Sequence, residues 1–155
     1  MDPLWLEYAH LLGAILIFGT GLGTAFHMWR AHLTGDPRVI AAVARSTVLA
    51  DWLFTAPAVV LQPVTGAALA RSYGWSPLEP WLLASLGLYV LAGGCWLPVV
   101  WLQIRMRRLA EVAVLAGALL PPRYRRYART WFALGWPAFA AMFAILYLMT
   151  FKPGS

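Results

Sequence analysis

The chain has 155 residues and a formal net charge of +6; 61% of the residues are hydrophobic and only 12% are charged. This composition excludes an ordinary soluble domain, in which roughly half of the residues are apolar and about a quarter are charged, and it indicates an integral membrane protein. The apolar residues form long runs that do not alternate with polar ones. Such runs favour membrane-spanning helices over a β-barrel, in a single domain covering residues 1–155.

Four hydrophobic segments are long enough to cross the hydrocarbon layer, which is about 30 Å thick and needs about 20 helical residues. They cover residues 4–29, 47–70, 81–103 and 130–151. The first segment follows Asp2 rather than a positively charged region, so we expect it to be retained and not cleaved as a signal peptide. Prolines inside the other three predict kinks, and therefore a four-transmembrane-helix bundle with a shaped interior.

The arginines predict the orientation of these helices. The loops after the first and third helices are rich in arginine, whereas the middle loop holds only Arg71. Because positive charge marks cytoplasmic loops, we expect both termini outside, in a multi-pass protein of the bacterial inner membrane. This distribution accounts for the basic charge without nucleic acid, and it makes the lipid bilayer the predicted partner.

The third loop is predicted to contain a short cytoplasmic helix of its own. Leu109, Val112, Leu115 and Leu119 recur at helical spacing before Pro121. Such a segment is typical of an interfacial helix that faces lipid headgroups or binds a partner.

His10 is the first candidate for a functional residue. It lies two turns inside the first span, where a histidine is unfavourable unless it has a polar partner. Glu7 shares its helix face. Two interpretations stay open: a structural histidine bonded to a helix carbonyl or to Glu7, and a ligand for haem iron or copper.

The second helix offers partners for His10. Gln62, Thr65 and Gly66 are predicted to lie at about the same depth, and Gly66 leaves room for either a macrocycle or a closely packed helix. On the first helix, a stripe of mostly small residues leads away from His10 on one face; it comprises Ala14, Ile17, Gly21, Thr24 and Met28.

A second polar pair is predicted near the inner surface. His27 and Asp51 match in depth, so a hydrogen bond between them is expected, because a buried carboxylate needs a partner. The pair is interpreted as a structural clamp, with a proton relay as the alternative. His32 is expected in a solvated loop.

The number of histidines limits the haem chemistry. His10 and His27 are 17 residues apart, about 25 Å along a helix, so they cannot ligate the same iron. Two bis-histidine haems need four histidines and the chain has three. A single haem at His10 must therefore have a non-histidine sixth ligand, water or an open position, and an open position favours chemistry on oxygen, peroxide or a substrate.

Four stretches of the chain resemble the domain of unknown function 2269 family of predicted integral membrane proteins. They are "AHLLGAILIFGTGLGTAF", "ADWLFTAPAVVLQPVTGAALA", "GCWLPVVWLQIRMRRLA" and "RTWFALGWPAFAAMFAILYLMTFKP". Together these stretches extend the resemblance over nearly the whole length of the chain. The family name implies an integral membrane protein and does not supply a function.

More distantly, the chain resembles HemJ-type protoporphyrinogen oxidases and CopD-type copper-resistance proteins. The shared features are "YAHLLG" in the first helix, "APAVVLQPVTG" in the second and the terminal pair Lys152-Pro153. In HemJ-type proteins the first-helix histidine is thought to hold haem b, and the resemblance carries this role to His10. Those enzymes have a functional lysine early in the third helix, whereas this chain reads "EPWLLASLGLY" there, which argues against protoporphyrinogen oxidation.

The residues and the resemblance together predict a membrane haem b protein with a redox role, and so a haem-dependent oxidoreductase. His10 is the expected metal ligand, with Gln62 and Gly66 beside the cofactor, and a quinone or another redox protein is the expected electron partner. Copper binding or transport is the alternative, although the methionines are scattered along the chain. A non-enzymatic structural protein that packs as a homo-oligomer is the other.

Overall fold

The computed structural model describes residues 2–153, which form helices joined by short connections. The elements are α1 (Pro3–Thr34), α2 (Pro37–Ala50), a π-helical segment (Asp51–Thr55), α3 (Ala56–Ser72), α4 (Pro80–Leu115) and α5 (Pro122–Phe151). Since α2, the π-helical segment and α3 are continuous, the chain has four helices long and apolar enough to cross a membrane. The predicted all-α architecture with four transmembrane helices is confirmed.

Proline marks the start of every long helix. Pro3, Pro37, Pro80 and Pro122 occupy first turns, where the missing N–H removes no helical hydrogen bond and the fixed φ suits the helix. The side chain of Asp36 caps α2 by accepting from the N–H of Arg38 at 2.8 Å. These signals let α1 and α2 reverse direction over only two residues, 35–36.

The helices extend beyond the predicted hydrophobic spans, and this corrects two expectations. The first loop, expected between residues 29 and 47, is only two residues long. The segment expected as a separate interfacial helix is instead the last part of α4 up to Leu115. α4 has 36 residues, about 54 Å of helix, against a hydrocarbon layer of about 30 Å. Hydropathy locates the membrane, whereas a helix ends only at a residue that breaks it.

The chain alternates between two ends of the bundle. The termini end holds Pro3, residues 73–79 and Lys152, whose ammonium group lies 4.2 Å from the ring centre of Trp75. The arginine end holds the two-residue turn and the α4–α5 connection. Every arginine except Arg71 lies in the half of its helix nearer the arginine end or beside its connections.

The packed core lies at the arginine end. α1 packs along α3, α4 packs along α5, and α2 joins the two pairs by contacting both α1 and α4. The fully buried members of the core include Met28, Ala44, Met106 and Ala110. Toward the termini end Trp81 is buried, but most apolar side chains face outward, as expected for a surface solvated by lipid.

Prolines 57 and 63 shape the second transmembrane helix. Pro57 has no N–H and cannot donate to the carbonyl four residues before it. The preceding residue, Ala56, donates its N–H to the carbonyl of Asp51, five residues back, which is the π-helical pattern. Pro63 likewise leaves the carbonyl of Val59 without a helical donor. The hydroxyl of Tyr89 on α4 donates to that carbonyl and so bridges the two helix pairs.

Candidate functional site

His10 is held in the α1–α3 interface by two side chains of α3. Its Nδ1 lies 2.8 Å from Thr65 Oγ1, and its Nε2 lies 3.3 Å from Gln62 Nε2. The Thr65 hydroxyl donates to the carbonyl of Leu61 at 2.9 Å, so its oxygen is left to accept the proton of Nδ1. The Nε2 atom is then the acceptor, and the Gln62 amide is its donor. This assigns the neutral tautomer with hydrogen on Nδ1.

Glycines on both helices make this contact close. A Cβ on Gly66 would lie 3.1 Å from His10 Cε1, and a Cβ on Gly13 would overlap Oε1 of Gln62. The structure therefore brings His10 together with Gln62, Thr65 and Gly66, the three residues predicted from the sequence to lie at its depth. Oε1 of Gln62 is buried and has no hydrogen-bond partner among residues 2–153.

Glu7, one of the partners proposed for His10, bonds to a different residue. Its carboxylate accepts a hydrogen bond from the hydroxyl of Tyr73, in the connection after α3. This hydrogen bond raises the pKa of the Tyr73 phenol, because the bonded neutral form is the favoured one. Glu7 thus ties α1 to the end of α3 near the aqueous boundary.

The predicted hydrogen bond between His27 and Asp51 is wrong. His27 is exposed, and its Nδ1 lies 2.8 Å from the carbonyl of Gly23 on its own helix. Asp51 is buried, with its Oδ1 accepting from the Thr55 hydroxyl at 3.1 Å and the Gln103 side chain beside it. The two-residue turn separates them: His27 lies 7 residues before the end of α1, whereas Asp51 lies 14 residues after the start of α2, so they differ in depth by about 10 Å. The His27 ring instead uses the carbonyl four residues before it on its own helix.

His32 is not the solvated loop residue that was expected. Because α1 continues to Thr34, His32 packs against α5, where its Nδ1 lies 2.7 Å from the hydroxyl oxygen of Tyr124. Its ring also meets the edge of Trp131, with the ring centres 6.0 Å apart. The signal that could have found it is the small-residue stripe of α1, which continues through Met28 to this position.

A cavity of about 340 Å³ separates the α1–α3 pair from the α4–α5 pair. Its walls are almost entirely apolar, and glycines from three helices contribute to them: Gly21, Gly93 and Gly135. Ile17, Gly21 and Thr24 of the predicted α1 stripe also line it. His10 lies on the same face of α1, about two turns nearer the termini end.

Polar side chains gather at the arginine end of this cavity. Asp51, Thr55 and Gln103 line it and are 5%, 3% and 3% exposed. Three polar atoms there have no hydrogen-bond partner among the described residues: Asp51 Oδ2, Gln103 Oε1 and Trp131 Nε1. Buried polar atoms are normally paired, so these atoms suit a ligand that enters the cavity.

The described residues contain no group of three or more histidine, cysteine, aspartate or glutamate side chains that could hold a metal ion. Cys95 is buried in α4 as a free thiol, which suits a small residue packed among apolar neighbours. A metal bound through several protein ligands, as copper usually is, therefore has no obvious set of donors. A cofactor that needs one axial imidazole has a candidate in His10.

No curated protein and no solved structure matches the chain. A family model matches residues 4–153, nearly the full length. The four apolar helices agree with the description of that family. The chain belongs to the family of predicted integral membrane proteins known as DUF2269.

Proposed function

We propose that this protein binds haem b in the membrane through His10 and has a redox role. The observation that carries the proposal is the arrangement of the imidazole. Thr65 fixes Nδ1 at 2.8 Å, while Nε2 has only an amide contact at 3.3 Å. Histidines that ligate metals commonly donate their other N–H to an oxygen atom, which fixes the tautomer and the ring orientation.

The residues around His10 would allow its Nε2 to hold a haem. Among the described residues, Gln62 is the side chain that bonds to Nε2, and its own Oε1 has no hydrogen-bond partner, so a single hydrogen bond orients its amide. Gly66 keeps the Cε1 edge of the ring clear of side-chain atoms. Rotation of the Gln62 side chain would expose the lone pair of Nε2.

Bound haem would supply one-electron redox chemistry, and the protein would supply position and electrostatics. Thr65 keeps the proton on Nδ1, so Nε2 stays available as a donor atom. His27 is about 25 Å farther along α1 and His32 lies beyond it, so neither can reach the same centre. A membrane-soluble quinone is the proposed electron partner, since the site lies within an apolar span.

A second function is favoured by the same contacts. His10, Gln62 and Thr65 satisfy both ring nitrogens without any cofactor. A purely structural clamp between α1 and α3, in a non-enzymatic membrane protein, needs nothing more. The two functions predict different absorption: a haem protein is coloured when purified, whereas a structural clamp without a cofactor is colourless.

The deciding experiment is a visible absorption spectrum of protein purified from cells with ample haem. We expect a Soret band in the wild-type protein and in His32→Ala, and none in His10→Ala. His32→Ala is the matched control because it removes an imidazole from the same helix. A colourless wild-type protein, or a Soret band retained in His10→Ala, would overturn the haem proposal.

A further inference from the structure

We propose that the cavity between the two helix pairs binds a lipid-soluble hydroquinone, with its ring at the Asp51 end and its tail toward the termini end. The biological role of this quinol site rests on the proposed redox function, because the quinol would be the electron partner of that function. The binding itself follows from the shape and polar groups of the cavity, and it can be measured in the absence of haem.

The shape of the cavity suits a flat ring that carries a chain. It is lined from Trp131 to Ile145 on α5 and from Tyr89 to Gln103 on α4, which is about 21 Å along each helix. A volume of about 340 Å³ lies at the lower end of the range for small-molecule sites. Among the described helices, α3 and α4 are not a closely packed pair, although the Tyr89 hydroxyl bonds to Val59 between them, so a chain could enter from the lipid between the helix pairs.

The polar end of the cavity requires a hydrogen-bond donor. Asp51 Oδ2 and Gln103 Oε1 are acceptors with no hydrogen-bond partner among residues 2–153, on side chains more than nine-tenths buried. Trp131 lines the same cavity, and its indole N–H is a donor that has no hydrogen-bond partner in the described part of the chain. A phenolic hydroxyl can donate to one of the oxygens and accept from the indole. A quinone carbonyl can only accept, so the reduced form matches this end better.

The walls near the polar end favour a ring over a simple alkyl chain. Trp96, Trp131 and Phe132 present aromatic surfaces, and Gly93 and Gly135 leave flat gaps between them. Aromatic rings pack on one another in offset or edge-to-face arrangements with a gain beyond simple burial. Asp51 and Thr55 also begin and end the π-helical segment, a local distortion that is frequent at functional sites.

The test uses decylubiquinol and decylubiquinone as probes, with the full chain purified in detergent and the quinol kept reduced under argon. Three cavity tryptophans, at positions 96, 131 and 136, report binding through quenching of their fluorescence. We expect saturable binding of both probes, with the quinol bound about tenfold more tightly, as expected for one additional buried hydrogen bond. Equal affinity for the two forms would overturn the assignment of the ring to the Asp51 end.

Two pairs of variants locate the site. Gly93→Leu places a side chain in the cavity, whereas Gly94→Leu adds the same side chain at an exposed position outside it; neither added Cβ meets another atom within 4 Å. We expect Gly93→Leu to lose quinol binding and Gly94→Leu to retain it. Asp51→Asn keeps the shape but changes an acceptor into an amide, so the preference for quinol over quinone should disappear.

The outcomes separate this proposal from the haem proposal. Unchanged quinol binding in Gly93→Leu would overturn the cavity as the site. Competition by decan-1-ol at the same concentration as the quinol would show that the cavity takes any single-chain alcohol, and would also overturn it. A colourless protein that binds quinol would remove only the role of His10, whereas a haem protein that does not bind quinol would remove only this inference.

Discussion

Tyr89 on α4 donates its hydroxyl hydrogen to the backbone carbonyl of Val59 on α3, the carbonyl that Pro63 leaves without a helical donor. A proline in one helix thereby creates the acceptor that joins it to another. In lipid no water can satisfy a freed carbonyl, so a side chain from a neighbouring helix must do so. Val59 and Tyr89 both line the cavity, so this hydrogen bond links the two helix pairs at its wall.

This relationship predicts an energetic coupling between Tyr89 and Pro63. Tyr89→Phe should destabilise the protein by about 1 kcal/mol, because it leaves a partly buried carbonyl unpaired. In a Pro63→Ala background the cost should fall toward zero, because the new N–H of residue 63 bonds to Val59. Reversible unfolding in mixed detergent measures both costs. Equal costs in the two backgrounds would show that the hydroxyl and the proline act independently.

Thr65 gives a second prediction, which tests the orientation of His10 rather than its presence. Thr65→Val removes the acceptor for the Nδ1 proton but keeps the shape, and loss of such an orienting group commonly weakens metal binding by about 10- to 100-fold. We expect a lower Soret absorbance per protein in Thr65→Val, with recovery in Thr65→Ser. Haem content that is the same in the valine and serine variants would contradict an orienting role for the hydroxyl.

The partners of His10 could be predicted because they depend on depth alone. Counting residues along two antiparallel helices placed Gln62, Thr65 and Gly66 opposite His10, and the structure brings them together. Hydropathy similarly located the four spans. Both arguments use position along the membrane normal, which sequence spacing determines well.

Rotation about the helix axis and the true helix ends could not be predicted. His27 and Asp51 were expected at the same depth, yet the two-residue turn sets them about 10 Å apart along the helices, with His27 exposed and Asp51 buried. The π-helical segment turns the second helix at Asp51, and this rotation is invisible to a count of residues. His32 was misplaced because the helix continues past the hydrophobic segment. The cavity depends on the spacing of helix pairs, which no single helix determines.

The corrected position of Asp51 predicts which residues are energetically coupled. The effects of His27→Ala and Asp51→Ala on the free energy of unfolding should add within about 0.5 kcal/mol, because these residues do not touch. The effects of Asp51→Ala and Gln103→Ala should not add, because Gln103 lies beside the Asp51 carboxyl group. A double-mutant cycle on each pair measures both interaction energies. Coupling in the first pair with none in the second would contradict the observed arrangement.

The separation of charge between the two ends predicts the topology. The arginine end holds every arginine except Arg71. The termini end holds Arg71 and the one lysine, Lys152. Because arginine-rich connections stay in the cytoplasm, both termini should face the periplasm. This orientation places His10 near the outer surface and the Asp51 end of the cavity near the cytoplasm.

Paired reporters test this topology. Alkaline phosphatase fused after Pro153 should be active, whereas a fluorescent protein that matures only in the cytoplasm should stay dark there. The same two reporters inserted at Ala118, in the α4–α5 connection, should give the opposite result. The charges are expected to cause the orientation, so replacing Arg123, Arg125, Arg126 and Arg129 with glutamine should produce a mixed population. Activity of the cytoplasmic reporter at the C-terminus of the wild-type chain would reverse the orientation and would place His10 near the cytoplasmic surface.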